Sequence, residues 1–193
     1  MTSTLTSYFD ELARLFQAME VRNAAGEILA LEEGAKAAVD LIRLTKTNGG
    51  KAVVVGNGGS AAIASHTQND LCKSVGMRAL VFTEPPLLTA LANDDGYQTA
   101  FPSLIRLWAA PGDLLIAISS SGRSENILYS ARSAHQAGCQ VITLSGFAPD
   151  NPLRQLGDVN FYVPSRDYGP LEVVHAALAQ YLTDMLKVNR GPG

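Results

Sequence analysis

The chain has 193 residues, 47% of them hydrophobic and 17% charged, and a formal net charge of −3. That length suits one domain, 1–193, with a full core, and the apolar balance leaves no room for long disordered tails. The mild negative charge, with no lysine/arginine cluster, gives no electrostatic footprint for nucleic acid.

Taken in chain order, Met1 to Asp10 lacks the basic start and apolar core of a signal peptide. Residues 4–20 and 26–47 read as two amphipathic helices. Leu5, Tyr8, Phe9, Leu12, Leu15, Phe16 and Met19 recur at helical spacing in the first; Ile28, Leu29, Leu31, Ala35, Ala38, Val39 and Ile42 do so in the second. Asn48-Gly49-Gly50 supplies the stop. Two long helices before the first strand exceed what one sheet needs. Part of their apolar surface is expected to pack against another copy of the chain.

Strand patterns follow at 52–55, 79–82, 114–118, 140–144 and 160–163, alternating with helix patterns at 60–73, 86–92, 98–108, 124–137 and 170–188. This alternation predicts an α/β fold whose parallel sheet is covered on both faces. No apolar run approaches the ~18 residues a membrane span requires. Cys72 and Cys139 are too few and too far apart for a disulfide framework, and read as buried reduced thiols of a cytoplasmic protein. The tail 189–193 is expected to fray.

The most informative segments are two loops, each between a strand pattern and a helix pattern. Gly56-Asn57-Gly58-Gly59-Ser60 follows Ala52-Val53-Val54-Val55; Ser119-Ser120-Ser121-Gly122-Arg123-Ser124 follows Leu114-Leu115-Ile116-Ala117-Ile118. Free N–H groups and the positive end of a helix dipole favour an anion at such places. Glycine admits close backbone approach, and hydroxyls add neutral donors. The first loop matches the dinucleotide fingerprint poorly, and a Gly-Lys-Ser/Thr ending is absent. A phosphorylated small molecule at the carboxyl ends of parallel strands is the expected ligand. Ser124 also reads as a helix N-cap, and Arg123 as a solvent-facing side chain.

Three histidines bound the acid–base and metal options. His66 and Asp70 lie four apart on one helix face, suited to sharing a metal, handling protons or a local hydrogen bond. His175 follows Glu172 by three residues on the last helix, and His135 reads as a surface or packing residue.

With these residues assembled, the chain resembles the sugar isomerase (SIS) domain family, most closely its phosphoheptose isomerase branch. Four ordered anchors carry the resemblance: Gly56-Asn57-Gly58-Gly59-Ser60-Ala61-Ala62 with His66; Ala92-Asn93-Asp94-Asp95-Gly96-Tyr97; Gly112 through Asn126; and Val163-Pro164-Ser165. It implies a flavodoxin-like three-layer sandwich with a five-stranded parallel sheet, preceded by two N-terminal helices (1–48) used in a homotetramer. It implies conversion of sedoheptulose 7-phosphate to an aldose heptose 7-phosphate, in routes to bacterial surface sugars such as lipopolysaccharide. Carried over by motif, Ser60, Ser119, Ser121 and Ser124 would bind phosphate, and Asn57 and Asp94 would contact the sugar; Gly58, Gly59 and Ser120 of the same loops are further expected substrate or phosphate contacts.

The chain departs from the family at the metal and proton-transfer positions. The family's histidine–three residues–glutamate reads His66-Thr67-Gln68-Asn69-Asp70 here. Its last-helix glutamine and two histidines fall, without gaps, on Glu172, His175 and Gln180; a shift of one puts Ala179 in the last slot. An enediol route needs one base and one group for the carbonyl proton. Asp70 is the expected base, with His66, His175 or Gln180 assisting, or a bound Zn²⁺ polarising the carbonyl. His66, Asp70, Glu172 and Gln180 form the expected metal set. Glu172 and Gln180 lie about 12 Å apart along one helix, so a site completed by a neighbouring subunit is preferred. Glu172 and His175 as an inert helix-surface pair is the structural alternative. A non-catalytic sugar-phosphate sensor or tetrameric scaffold is the competing function, since family relatives bind a replication-initiation protein.

Overall fold

A computed structural model describes residues 4–187 of the chain. The expected frayed tail at 189–193 and the last residue of the expected helix 170–188 lie outside the described residues. Helix α1 (Leu5–Gln17) leads into a short hairpin, β1 (Glu20–Asn23) and β2 (Ile28–Leu29), and then α2 (Leu31–Thr47). The α/β alternation follows: β3 (Ala52–Val55), α3 (Gly59–Asp70), a π-helical turn (Leu71–Val75), β4 (Ala79–Leu80), α4 (Pro85–Asp94) and α5 (Tyr97–Trp108). The remainder is β5 (Leu114–Ser119), α6 (Glu125–Gln136), β6 (Gln140–Ser145), a 3₁₀ turn (Pro152–Gln155), β7 (Val159–Tyr162) and α7 (Tyr168–Asp184).

One seven-stranded sheet has the order β2-β1-β7-β6-β5-β3-β4. The expected five-stranded parallel sheet is therefore corrected to a larger, mixed one. β3 to β7 run parallel to one another, while β1 pairs antiparallel with β7 and with β2. The hairpin replaces what reads as the start of the second helix. Ile28 and Leu29 suit either a helical stripe or a two-residue strand, and the Asn23 side chain decides. Its Oδ1 accepts from the N–H groups of Ala25 and Glu27, both at 3.0 Å, closing the turn. Val21 then packs in the core directly against Gly34 of α2.

The central strands alternate their buried faces as a strand must. Ala52, Val54, Leu114, Ile116, Ile118, Ile142 and Leu144 pack with α2, α3 and α7. Val53, Val55, Leu115, Ala117 and Val141 pack with α5 and α6. The three layers follow from this two-sided burial. β3 and β5 are sheet neighbours, yet β3 connects through α3 to β4 on one side and β5 connects through α6 to β6 on the other. Strand order reverses between them, which opens a crevice at their carboxyl ends.

Candidate active site

Both loops singled out in the sequence open into that crevice. A cleft of about 250 Å³ is lined by Asn57, Gly58, Gly59, Ser60, Ser119, Ser120, Ser121 and Ser124, with Ile118, Tyr168 and Glu172 completing it. Its donors come from two helix N-termini, whose first N–H groups have no intrahelical acceptor. Ser124 occupies the N-cap position of α6, but its hydroxyl makes no capping bond and lies 3.5 Å from the Ser119 hydroxyl. Ser120 is 5% exposed, and its Oγ has no hydrogen-bond partner among the described residues. A buried orphan hydroxyl costs about 1–3 kcal/mol unless a ligand or water satisfies it. Arg123 points away and pairs with Asp150 at 3.1 Å. Among the described residues no cationic side chain lines the cleft, so a phosphate there would be held by neutral donors and helix ends.

Glu172 is the exception in charge. It projects from the N-terminal part of α7 onto Gly59, so closely that a Cβ on Gly59 would overlap its carboxylate. The carboxylate thus sits at the positive end of α3. Asp94, expected at the sugar, is exposed at the end of α4, accepts from Asn93 at 2.8 Å and does not line the cleft.

A second constellation lies farther along the same α3–α7 seam. His66 Nε2 is 3.0 Å from Gln180 Oε1 and 3.3 Å from Asp70 Oδ2. The Gln180 amide donates in turn to Asp184 Oδ1 at 2.6 Å. Gln180, rather than the core residue Ala179, therefore faces His66. Asp70 is largely buried, while the His66 side chain is 62% exposed. Gly59 to His66 spans seven residues of α3 and Glu172 to Gln180 eight of α7. The serine-lined cleft and the His66 centre are thus on the order of 10 Å apart along two helices in register.

Two of the expected acid–base or metal residues, Glu172 and His175, are not brought to the His66 constellation. Glu172 stays at the cleft end, so one chain unites only His66, Asp70 and Gln180 of the four expected metal donors. Among the described residues, no group of three or more His, Cys, Asp or Glu side chains is placed to hold a metal. His175 is fully buried, with Nε2 3.2 Å from the Ser145 carbonyl and Nδ1 without a partner among the described residues. Burial lowers its pKa to about 4, offset by that backbone bond. It is a neutral core group tying α7 to β6, not a cleft acid. The sequence offers no means of separating this role from catalysis, because both need a histidine on the inner face of a helix.

The remaining side chains sort simply. Cys139 is buried, with its thiol pushed up to about 11 by burial and the nearby Asp113 carboxylate, whereas Cys72 is exposed rather than buried as expected. His135 bonds the Leu156 carbonyl at 2.9 Å. Sequence reasoning missed Asn126 and Tyr97, whose side chains hold Asn57 at the cleft wall. The signal was present in the Ser124-Glu125-Asn126 and Gly96-Tyr97 anchors, without any indication that they meet.

A doubly covered sheet with a serine- and glycine-lined cleft at its switch point defines an α/β domain of the doubly wound class. The profile described as "SIS domain" matches residues 7–146. The chain belongs to the SIS domain family, in its phosphoheptose isomerase branch. It is 36% identical over 151 residues to a phosphoheptose isomerase of Aliarcobacter butzleri, covering 75% of this chain and 77% of that one. It is 33% identical over 186 residues to one of Thiobacillus denitrificans, covering 91% and 92%. Among solved structures, the phosphoheptose isomerase of Neisseria gonorrhoeae superposes with a TM-score of 0.80 at 29% identity, over 94% of this chain and 96% of the other.

Proposed function

We propose that this chain is a phosphoheptose isomerase, converting sedoheptulose 7-phosphate to an aldose heptose 7-phosphate through an enediol. The observation that carries the reading is the pair of loops at the switch point, with the unsatisfied hydroxyl of Ser120 and a Ser124 hydroxyl that caps no helix, joined to relatives of that name covering most of the chain. The cleft anchors the phosphate; the His66 centre lies along the α3–α7 seam, where an extended chain leads the reacting carbons. Asp70 removes the proton from the carbon bearing the hydroxyl. His66 handles the oxygen proton, its ring held by the Gln180 carbonyl.

His66 Nε2, Asp70 Oδ2 and Gln180 Oε1 converge from two helices, a nitrogen/oxygen donor set that suits Zn²⁺ in part. These three residues would hold the ion, with Glu172 of a neighbouring subunit as a further donor. Bound there, zinc would polarise the substrate carbonyl. A homotetramer built through α1 and α2 belongs to the same reading. Leu5, Phe9, Leu31 and Leu44 are exposed on those helices, and Phe16, Met19, Ala35, Leu178 and Tyr181 line an apolar groove of about 240 Å³ beside them. No helix among the described residues is long and apolar enough to cross a membrane. Two unpaired cysteines fit a reducing cytoplasm, and the product fits bacterial surface-sugar synthesis.

The test is incubation with sedoheptulose 7-phosphate, with and without Zn²⁺, reading aldose formation. No turnover in either condition, with sugar-phosphate binding retained, would remove the enzyme. Such a result would favour a sugar-phosphate sensor or scaffold, the reading that Gln180 in the family's histidine slot supports. Zinc bound stoichiometrically and lost in His66→Ala would support the ligand assignment; metal-free active protein would exclude it.

A further inference from the structure

Asn57 sits on the wall of the phosphate cleft, at the turn between β3 and α3. Its side chain is engaged on three sides. Asn57 Nδ2 donates to Asn126 Oδ1 at 3.0 Å, and Asn126 Nδ2 donates back to Asn57 Oδ1 at 2.8 Å. The Tyr97 hydroxyl donates to the same Asn57 Oδ1 at 2.7 Å. A primary amide has two acceptor sites on oxygen and two N–H donors. Asn57 Oδ1 therefore has both sites filled, while one Nδ2 proton has no partner among the described residues.

The Tyr97 bond bears on which end of the amide is free. Turning both amides over would preserve their mutual pair, but would place Asn57 Nδ2 against the tyrosine oxygen and turn Oδ1 to the cleft. The 2.7 Å separation is that of an O–H···O bond; N–H···O bonds centre nearer 2.9–3.0 Å. Burial raises the Tyr97 pKa, opposed by its contact with Asn126, so the hydroxyl keeps the proton it donates. Asn126 is 3% exposed on α6, which holds it firmly; Tyr97 reaches in from the start of α5.

We infer that Tyr97 and Asn126 are positioning residues that lock the Asn57 amide with its N–H outward, so that the cleft wall offers a donor to an oxygen of the phosphorylated ketose. This rests on the function proposed above and adds a specificity element to it. Phosphate capture belongs to the serine loops, whereas the locked Asn57 donor reads an acceptor oxygen on the sugar side. A free amide would present either end, and would favour neither an acceptor nor a donor on the ligand.

The experiment uses the full chain and Tyr97→Phe, which removes one oxygen from a partly exposed ring. Steady-state kinetics with sedoheptulose 7-phosphate should show KM raised about tenfold and kcat within about twofold, as for loss of one oriented hydrogen bond. Calorimetric Kd for inorganic phosphate should stay within about twofold, since the serine donors are untouched. Asn126→Ala should raise the sugar-phosphate KM at least as much. An unchanged KM in both variants overturns the inference. So does a parallel loss of inorganic phosphate binding, which would mark general damage to the loop. If the wild-type protein binds sedoheptulose 7-phosphate but does not turn it over, the isomerase reading fails by itself. The ratio of calorimetric affinities for sedoheptulose 7-phosphate and inorganic phosphate, compared between wild type and Tyr97→Phe, then decides the inference. Wild-type protein that binds no sugar phosphate overturns both.

Discussion

The side-chain oxygen of Gln180 meets Nε2 of His66 at 3.0 Å, across the seam between α7 and α3. The bond between Gln180 and Asp184 fixes the amide with its oxygen toward the imidazole. Nε2 of His66 thus faces two acceptors, Gln180 Oε1 and Asp70 Oδ2, and carries the proton in the absence of a metal. A side chain with no titratable group thereby orients the imidazole.

Asp70→Asn keeps the shape of the side chain and removes its basicity. Turnover of sedoheptulose 7-phosphate should fall by about 100-fold or more, the usual worth of a positioned base. KM should change little, because the phosphate loops are about 10 Å away along α3. Intact turnover in this variant would dismiss Asp70 as the base while leaving the enzyme class standing.

Gln180→His restores a titratable group at the position facing His66. We expect kcat near neutral pH to rise by about tenfold, within the range a general acid or base contributes. Turnover unchanged or lower would mean that proton transfer does not pass through this position.

Much of this arrangement is legible in the sequence, for identifiable reasons. The loops at 56–60 and 119–124 are local: each needs only a strand, a turn rich in glycine or serine and a helix start. Their convergence follows once β3 and β5 are neighbours. The 20–29 hairpin is not legible, because four- and two-residue strands are too short to establish a period, and Ile28 and Leu29 fit a helical stripe equally well. His175 and Glu172 are illegible for a different reason. A residue pattern says which face of α7 they share, but not that one enters the core beside Ser145 while the other stops at Gly59.

Gly59→Ala tests the close approach of α3 and Glu172. A methyl group there collides with the far end of a flexible carboxylate, which can swing aside. Gly59 opens α3 without a left-handed φ, so alanine fits the backbone and thermal stability should hold. Sugar-phosphate affinity should fall by about tenfold as Glu172 moves into the cleft, an effect of about 1.4 kcal/mol. Calorimetry beside a melting curve separates the two; unchanged affinity would mean that Glu172 moves without entering the ligand's space.

Gly122→Ala should behave in the opposite way. Gly122 has φ +61° and abuts Asn151, which is fully buried and donates to the Gly146 and Ala148 carbonyls. A side chain must accept a left-handed backbone and displace that asparagine, at a cost of about 1–3 kcal/mol. Denaturant unfolding should register this as a lower midpoint; an unchanged midpoint would show that the serine loop can rearrange at no cost.

His175 makes acid stability a readout of the core. Its pKa is about 4 in the folded protein against an ordinary 6.5, because burial disfavours the charged ring. Between those values the unfolded chain binds the proton and the native one does not. Its contribution is therefore complete above pH 6.5 and is lost as pH falls toward 4, amounting to about 3 kcal/mol at most. In His175→Leu that component is missing. Unfolding free energies at pH 7 and pH 4.5 should differ by about 2–3 kcal/mol less in the variant than in the wild type, even though losing the Ser145 contact lowers its stability at both. Equal pH dependence in the two proteins would mean that the imidazole is hydrated in the native state, and that α7 is less tightly seated on β6 than its packing against Ser145 implies.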